Sequence, residues 1–382
     1  MPASLVDQAA IVGIGQTEFS KESGRSELQL AAEASLAAIR DAGLTPADID
    51  GLITFTLDTS DELLLMRALG LPEIRFWSRT PHGGAGSTTT ILHAASAVAS
   101  GAAKHVLVWR AFNERSGHRF GQPSAAAPPL GWNWYLPFGL DTPAKIYSLT
   151  FQRYMDAYGL TNEDFGRYTV VARKHAATNP NAWFYERPIT LADHQASRWI
   201  VEPILRLLDC CQESDGGVAL VISTAERARD LPQPLVRLRH VVDSHLMGGH
   251  VMFNYYLEDH SRFEECHSAA ARLYGESGLT ASDMDAAMLY ENFSPVVFMQ
   301  LEGFGFCGPG EARDFVRDGH IELGGSLPVN THGGLLGEAY IHGMNNILEG
   351  VRQIRGQAVN QVAGARHVLV GGGRGAMILA GD

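Results

Sequence analysis

Asp41 to Phe55 reads D-A-G-L-T-P-A-D-I-D-G-L-I-T-F, and Glu276 to Tyr290 reads E-S-G-L-T-A-S-D-M-D-A-A-M-L-Y. The match extends outward. H-G-G begins at His82 and again at His332, each time ahead of a helical stretch, and G-A-A-K-H-V-L-V (Gly101 to Val108) is echoed by G-A-R-H-V-L-V (Gly364 to Val370). Three matches in the same order make chance a poor explanation. Two copies of one α/β unit is the simplest account, each reading strand, helix, strand, Gly-rich loop, helix, strand. The expected architecture is layered sheets with helices between them.

Within the first copy, Ala9 to Ile14 reads as a buried strand, with Gly13 and Gly15 as the turn that follows. Its G-x-G-x-x-E lacks the third glycine of a dinucleotide fingerprint, and the next helix starts too late to receive a pyrophosphate. That helix is expected over Glu27 to Ala42, with Ser26 as N-cap and Gly43 as its stop, before a strand at Ile49 to Phe55. Between the copies, from about Arg110 to Ser261, the texture changes. This stretch is rich in Trp, Tyr, Phe and Pro, as in G-W-N-W-Y-L-P-F (Gly131 to Phe138). One helix is expected to run to about Tyr158 from Thr142 and Pro143, and another over Asn162 to Ala177. Two readings fit the aromatic stretch: a cap over the sheet ends, walling a bulky ligand, or a dimer surface. The expected organisation is an N-terminal half over 1–110, an inserted cap region over 111–260 that returns into that half, and a C-terminal half over 261–382.

The totals exclude several classes. A net charge of −12 is wrong for a nucleic-acid-binding face, which needs clustered Lys and Arg. The four cysteines, Cys210, Cys211, Cys266 and Cys307, have neither zinc-ligand nor disulfide-framework spacing and suggest a reducing compartment. No metal site is expected. The first ten residues lack a signal-peptide pattern and no apolar run reaches membrane-span length, so a cytoplasmic location is expected.

Chemistry concentrates in Asn330 to Asn346, N-T-H-G-G-L-L-G-E-A-Y-I-H-G-M-N-N, with two histidines, a tyrosine and four glycines. Such glycine density lets backbone approach a ligand closely, and the helix beyond it offers free N–H groups. Tyr340 and His342 can both move protons. The alternative is a packed turn around a buried, hydrogen-bonded tyrosine. Two other loops stand at expected strand ends: Arg79 to Thr88, and Y-E-N-F-S-P from Tyr290. All three are expected to converge on one pocket. G-A-G-S-T around Ser87 lacks the last glycine of a nucleophile elbow. The five-residue spacing of His240, His245 and His250 suits neither a helix face nor a strand face.

Together the repeat, the insertion and the loops resemble the thiolase superfamily, in its sterol-carrier-protein-X and lipid-transfer-protein branch. S-R-W-I-V-E-P-I-L-R-L-L-D-C-C-Q-E-S-D-G-G (Ser197 to Gly217) is similar to that branch's central signature, and G-G-G-R-G (Gly371 to Gly375) to the family's C-terminal glycine loop. The resemblance implies a thiolase-like αβαβα fold. It also points away from thiolysis, which needs a cysteine thiolate. Gly83 stands where the nucleophilic cysteine is expected and Leu369 where the second is. Tyr340 replaces the catalytic histidine, and Tyr290 opens the motif that thiolases begin with Asn or His.

This pattern resembles the thiolase-like aldolases of steroid side-chain degradation, which cleave β-hydroxyacyl-CoA by a retro-aldol reaction. The resemblance implies no tightly bound cofactor, coenzyme A as part of the substrate, a homodimer, and a small OB-fold/zinc-ribbon partner completing a heterotetramer. Under it, Tyr290, Tyr340, His332 and His342 are the catalytic candidates. Gly83, Gly84, Asn292, Gly371, Gly372 and Gly373 are the candidates for holding substrate and oxyanion. A tyrosine of ordinary pKa is a poor base at neutral pH, so a relay partner such as His342 or Glu291, or a lowered pKa, is expected. Two other functions fit the residues: a non-catalytic acyl-CoA or lipid-binding subunit, and Claisen-type chemistry on Cys210, Cys211 or Cys307. Arg115, His118 and Arg119 are exposed-looking cations that could meet CoA phosphates, a partner or only water.

Overall fold

Asp50 and Asp285 hold equal places in the two copies and make the same hydrogen bonds. Asp50 Oδ1 accepts from the Lys104 and His105 amides at 2.7 and 3.0 Å, and Asp285 Oδ2 from those of Arg366 and His367 at 2.7 and 2.9 Å. Each carboxylate ties the approach to one strand to the start of its parallel neighbour. Just upstream, Thr45 with Asp48 and Thr280 with Asp283 form matching capping boxes.

The computed structural model describes residues 5–81, 83–122, 133, 135–246, 252 and 256–381. His82, Trp132, Trp134 and His250 lie outside the described residues. The strands are β1 (Ala9–Gln16), β2 (Gly51–Phe55), β3 (Phe76–Thr80), β4 (Val106–Asn113), β5 (Trp199–Val201), β6 (Leu205–Arg206), β7 (Asp215–Thr224), β8 (Arg237–Asp243), β9 (Ala286–Leu289), β10 (His367–Gly371) and β11 (Gly375–Ala380). The helices are α1 (Glu27–Asp41), α2 (Glu62–Leu69), α3 (Ser87–Ala99), α4 (Pro143–Tyr158), α5 (Asn162–Thr178), α6 (Leu191–Ala196), α7 (Ala225–Ala228), α8 (Glu264–Ser277), α9 (Ser294–Gly303), α10 (Ala312–Arg317), α11 (Gly334–Gly337) and α12 (Met344–Arg355).

Among the described residues the main sheet runs β3-β2-β4-β7-β1-β8-β11-β10-β9. Its centre is a narrow junction where β1 meets β8 only at Ala9–Leu238 and Ala10–Arg237. The halves mirror each other across it. β2 runs parallel to β4 as β9 does to β10, and β4 is antiparallel to β7 as β10 is to β11. Helix α3 packs on β2, β4 and β7 and also on β8, while α12 packs on β9, β10 and β11 and also on β1. These two helices form the middle layer, with α1 and α8 covering the outer faces. The order is α, β, α, β, α, as expected. Ile91, Ala94 and Val98 of α3 share one core with Ile347, Leu348 and Val351 of α12, at the spacing that puts side chains on one helix face.

Gly13 and Gly15 do not form a turn. β1 continues through both to Gln16. A Cβ on Gly13 would lie 2.1 Å from Ala38 O, and one on Gly15 2.2 Å from Ala34 O. The glycines let α1 press directly onto the strand. Helix α1 starts as expected, with Ser26 Oγ accepting from the Gln29 amide at 3.2 Å, a cap worth about 1 kcal/mol.

In the stretch between the copies, α4 and α5 start at Thr142–Pro143 and Thr161–Asn162. They bury Phe151, Tyr154, Phe165 and Tyr168 against Phe298 and Phe304 around α9. β7 returns between β4 and β1. Among the described residues no helix is long and apolar enough to cross a membrane.

Candidate active site

Tyr290 is positioned by backbone. β9 ends at Leu289, and the next amide, that of Tyr290, donates to Gly371 O at 2.9 Å at the end of β10. Gln300 Nε2 of α9 donates to Tyr290 O at 2.6 Å. Tyr340, between α11 and α12, donates its amide to Ser214 Oγ at 3.2 Å. Both rings are buried, and their hydroxyl oxygens lie 2.8 Å apart. A Cβ on Gly84 would fall 1.9 Å from Tyr290 Cε2, and one on Gly343 would fall 3.0 Å from Cδ2. The Tyr290 ring fills the space these glycines leave open, so the three loops do meet.

His342 stands beside the pair, edge-on to the Tyr340 ring with centroids 5.1 Å apart. It stacks on Phe112 at 5.1 Å and is flanked by Phe120 and Phe55. Its Nδ1 accepts from Arg110 Nε at 3.0 Å. Its Nε2 faces Gly83, 3.3 Å from where a Cβ would be. Burial, then the Arg110 guanidinium, holds the imidazole well below its ordinary range, so it is neutral at physiological pH.

Burial pushes both phenols well above their ordinary range, and the neighbouring Cys211 and Glu114 add to this. No lowered tyrosine pKa exists here; the pair is suited to passing a proton, not to holding a phenolate. The cysteines are no better as nucleophiles. All four are free. Burial raises the thiols of Cys210, Cys211 and Cys266, and pushes that of Cys307 up to about 12.

Known proteins resemble this chain over its whole length. Residues 254–380 match the thiolase C-terminal domain-like family. The chain is 56% identical over 373 residues, 96% of its length and 95% of the relative's, to the steroid side-chain-cleaving aldolase of Thermomonospora curvata. It is 53% identical over 377 residues, 97% of each chain, to the 17-hydroxy-3-oxo-4-pregnene-20-carboxyl-CoA lyase of Mycobacterium tuberculosis. The solved Ltp2-ChsH2(DUF35) aldolase superposes with a TM-score of 0.95 at 55% identity, covering 100% of this chain and 99% of that one. The chain belongs to the thiolase-like aldolases.

In this aldolase fold, a pocket opens on Tyr290. Tyr147 and Phe151 of α4, Phe263, Val296 and Met299 give it aromatic and aliphatic walls, and Asn292, Gly372 and Gly373 complete its edge. The inserted stretch therefore contributes a wall through α4. Arg262 and Arg374 bring cationic groups to the same rim. Among the described residues, no group of His, Cys, Asp or Glu side chains is arranged to hold a metal ion.

The remaining sequence candidates divide. Gly371 supplies the carbonyl that fixes Tyr290, while the Gly372 amide is already committed to Gly375 O at 2.8 Å. The Asn292 carbonyl accepts from the Cys211 amide at 3.0 Å. His332 turns toward the end of α11: its Nε2 lies 3.8 Å from Glu338 Oε2, and Asn179 Nδ2 donates to its carbonyl at 3.0 Å. Burial, with Arg352 nearby, pushes its imidazole down to about 3. Its contacts organise the loop rather than the tyrosine hydroxyls. Glu291 is tied to the same loop. Its Oε1 accepts from the Leu335 amide at 2.7 Å and fills the space above Gly334.

Three residues near the pair escaped sequence reasoning. Glu114 is buried at the end of β4, with its carboxyl raised by burial and by Glu213. Arg110 and Asp58 form an ion pair at 3.0 Å with side chains 1% and 0% exposed. Arg110 alone left a signal, a single cation inside V-L-V-W-R-A-F (Val106 to Phe112).

Proposed function

We propose that the chain is a carbon–carbon lyase that cleaves a bulky β-hydroxyacyl-CoA by a retro-aldol reaction, and that its acyl group is a steroid side chain with a tertiary 17-hydroxyl. The observation that carries this is the 2.8 Å contact between Tyr290 and Tyr340 hydroxyls in a site whose thiols are protonated. The hydroxyl proton of the substrate moves onto one phenol oxygen as that phenol's own proton crosses to the second, and the second's proton passes to Cα. The Cα–Cβ bond breaks, leaving a ketone at Cβ and, after protonation, a shortened acyl-CoA such as propionyl-CoA. One proton leaves oxygen and one reaches carbon, so the enzyme ends as it began and free CoA is not consumed. Neutral, coupled phenols suit this relay because neither must carry full charge in a buried site. The charge develops on the thioester oxygen of the enolate, where a hydrogen-bond donor contributes most. The glycine loop at Gly83 and Gly84 and the neutral His342 are the donors we assign.

The apolar pocket walls favour a fused-ring hydrocarbon over a short chain. We further propose a cytoplasmic enzyme that pairs with a second copy through β3 and with a small DUF35-type partner. β3 is an edge strand in the described sheet, with Trp77 64% exposed beside exposed Leu63 and Leu64 of α2. The test is product analysis by mass spectrometry with a 17-hydroxy steroid side-chain CoA thioester and the partner present. Ketone and shortened acyl-CoA should form without free CoA. A requirement for free CoA, or tight binding without products, would overturn the retro-aldol reading.

A further inference from the structure

Arg110 is a buried cation on a strand whose neighbours are apolar, and each of its contacts has a direction. Its Nη1 donates to Asp58 Oδ2 and to Ala111 O at 3.0 and 3.2 Å. Asp58 is itself fixed: its Oδ2 also accepts from the Ala111 amide at 3.0 Å, its Oδ1 from the Ser60 amide at 2.8 Å, and its carbonyl from Arg79 Nη1 at 3.0 Å. The guanidinium lies 4.2 Å from the Phe112 ring centroid, so it cannot swing away without leaving that face. The Nε–H points at His342 Nδ1.

A guanidinium has no acceptor and does not lose its proton in this range, so a ring nitrogen bonded to it must offer a lone pair. His342 therefore carries its proton on Nε2. That nitrogen has no hydrogen-bond partner among the described residues, in a side chain buried beside Tyr340 and facing the Gly83 loop. The backbone of His342 is held at φ +50°, a left-handed conformation that a residue with a Cβ seldom adopts, and Gly343 follows at φ +77°. Among the described residues, the charged or titratable groups facing the ring are Arg110 from β4, with Asp58 behind it, and Tyr340 on the histidine's own segment. Phe55, Phe112 and Phe120 close the remaining sides.

We propose that Arg110, anchored by Asp58, is a positioning residue that locks His342 in the Nε2–H tautomer, so that His342 serves as a fixed hydrogen-bond donor to the enolate oxygen and not as a proton relay. The assignment of the acceptor rests on the retro-aldol reading; the tautomer lock does not.

The experiment is a double-mutant cycle on the enzyme with its partner, using R110K, which keeps a cation opposite Asp58, and H342Q, whose amide nitrogen can replace Nε2–H without a tautomer to set. R110K should lower kcat about 100-fold, the scale of losing one oxyanion donor, while H342Q should lower it only about tenfold. In the H342Q background R110K should cost less than about threefold, since sites that act through one another are non-additive. Equal costs of R110K in both backgrounds would overturn the lock, as would a pH-dependent limb in wild type that disappears in H342Q. Nitrogen-15 spectra of wild type, with His342 assigned by its loss in H342Q, provide a readout that survives misfolding of R110K. The proton should sit on Nε2 with no titration from about pH 5.5 to 8.5; a proton on Nδ1 would sink the proposal. A wild type that forms no ketone overturns the retro-aldol reading and leaves the spectrum to judge the lock. A wild type that cleaves but shows additive variants overturns the lock alone.

Discussion

The hydroxyl oxygens of Tyr290 and Tyr340 lie 2.8 Å apart although the residues are 50 positions apart in the chain. One is delivered by the end of a strand in the sheet and the other by the turn before α12, so the contact depends on the whole C-terminal half being folded. Burial raises both phenols, and a proton-transfer role then requires them to act together.

The pair should therefore behave as one unit under mutation. Y290F and Y340F should each lower kcat by about 10²- to 10⁴-fold, the range for losing a positioned acid or base. The double variant should be hardly worse than the poorer single one. Each change removes a hydroxyl and keeps the ring, so stability should fall by only about 1 kcal/mol. Ketone release and a thermal melt on the same preparations decide this; near-normal rates in both single variants would refute the relay.

Gly84 is the position most sensitive to one added carbon. The methyl of G84A would have to occupy space 1.9 Å from Tyr290 Cε2, so the ring must move. A displacement near 1 Å at a reacting group costs about 100-fold, and kcat in G84A should fall by at least about that much. Unchanged kinetics would mean that the Tyr290 ring has room its packing does not suggest.

Stability should fall as pH rises from about 6.5 to 8. Burial lifts the Glu291 carboxyl to about 8 and Glu338 to about 7, both above an ordinary value of 4.5. A carboxyl raised in the folded state favours folding fully below its unfolded pKa, and that contribution is lost as pH climbs through the folded pKa. His332 and His342 are depressed, so their contribution is lost only as pH falls below about 6.5, outside this window. E291Q keeps an oxygen for the Leu335 amide and cannot ionise. Its melting temperature should decline less than that of wild type between pH 6.5 and 8; parallel curves would show that Glu291 is not the titrating group.

The duplication was legible because it is written in hydrogen-bonding residues. Thr45, Asp48 and Asp50 recur as Thr280, Asp283 and Asp285, and each does in one half what its twin does in the other. Glycine was harder to read, since one residue type serves opposite ends. Gly13 and Gly15 looked like a turn and are a close helix–strand contact, while Gly84 looked like a ligand loop and also makes room for Tyr290. His332 drew attention through its company in the loop, and only the folded loop shows that its ring faces Glu338 at the end of α11. Arg110 and Asp58 are 52 residues apart and join only across the sheet, which no local pattern encodes.

The edge of the sheet carries the assembly prediction. W77E puts a charge in the middle of β3's exposed side and should turn a dimer into a monomer in sedimentation, because a charge at the centre of an interface is poorly tolerated. The fold should survive, as Trp77 is mostly exposed. A dimer that persists would move the interface elsewhere.

Cys211 separates cleavage by a proton relay from acyl transfer to a thiol. It is the cysteine near both tyrosines, and burial together with Glu114 keeps its thiol protonated. A nucleophilic role would require a thiolate poised for attack, with alkylation abolishing activity. A relay requires only that its volume stay filled. C211S should keep ketone release within about threefold of wild type, since a small volume change near a site perturbs it only modestly. Iodoacetamide should leave turnover largely unaffected over the time of the assay. Rapid inactivation of wild type with protection in C211S, or an acyl adduct on Cys211 by mass spectrometry, would transfer the chemistry from the tyrosines to the thiol.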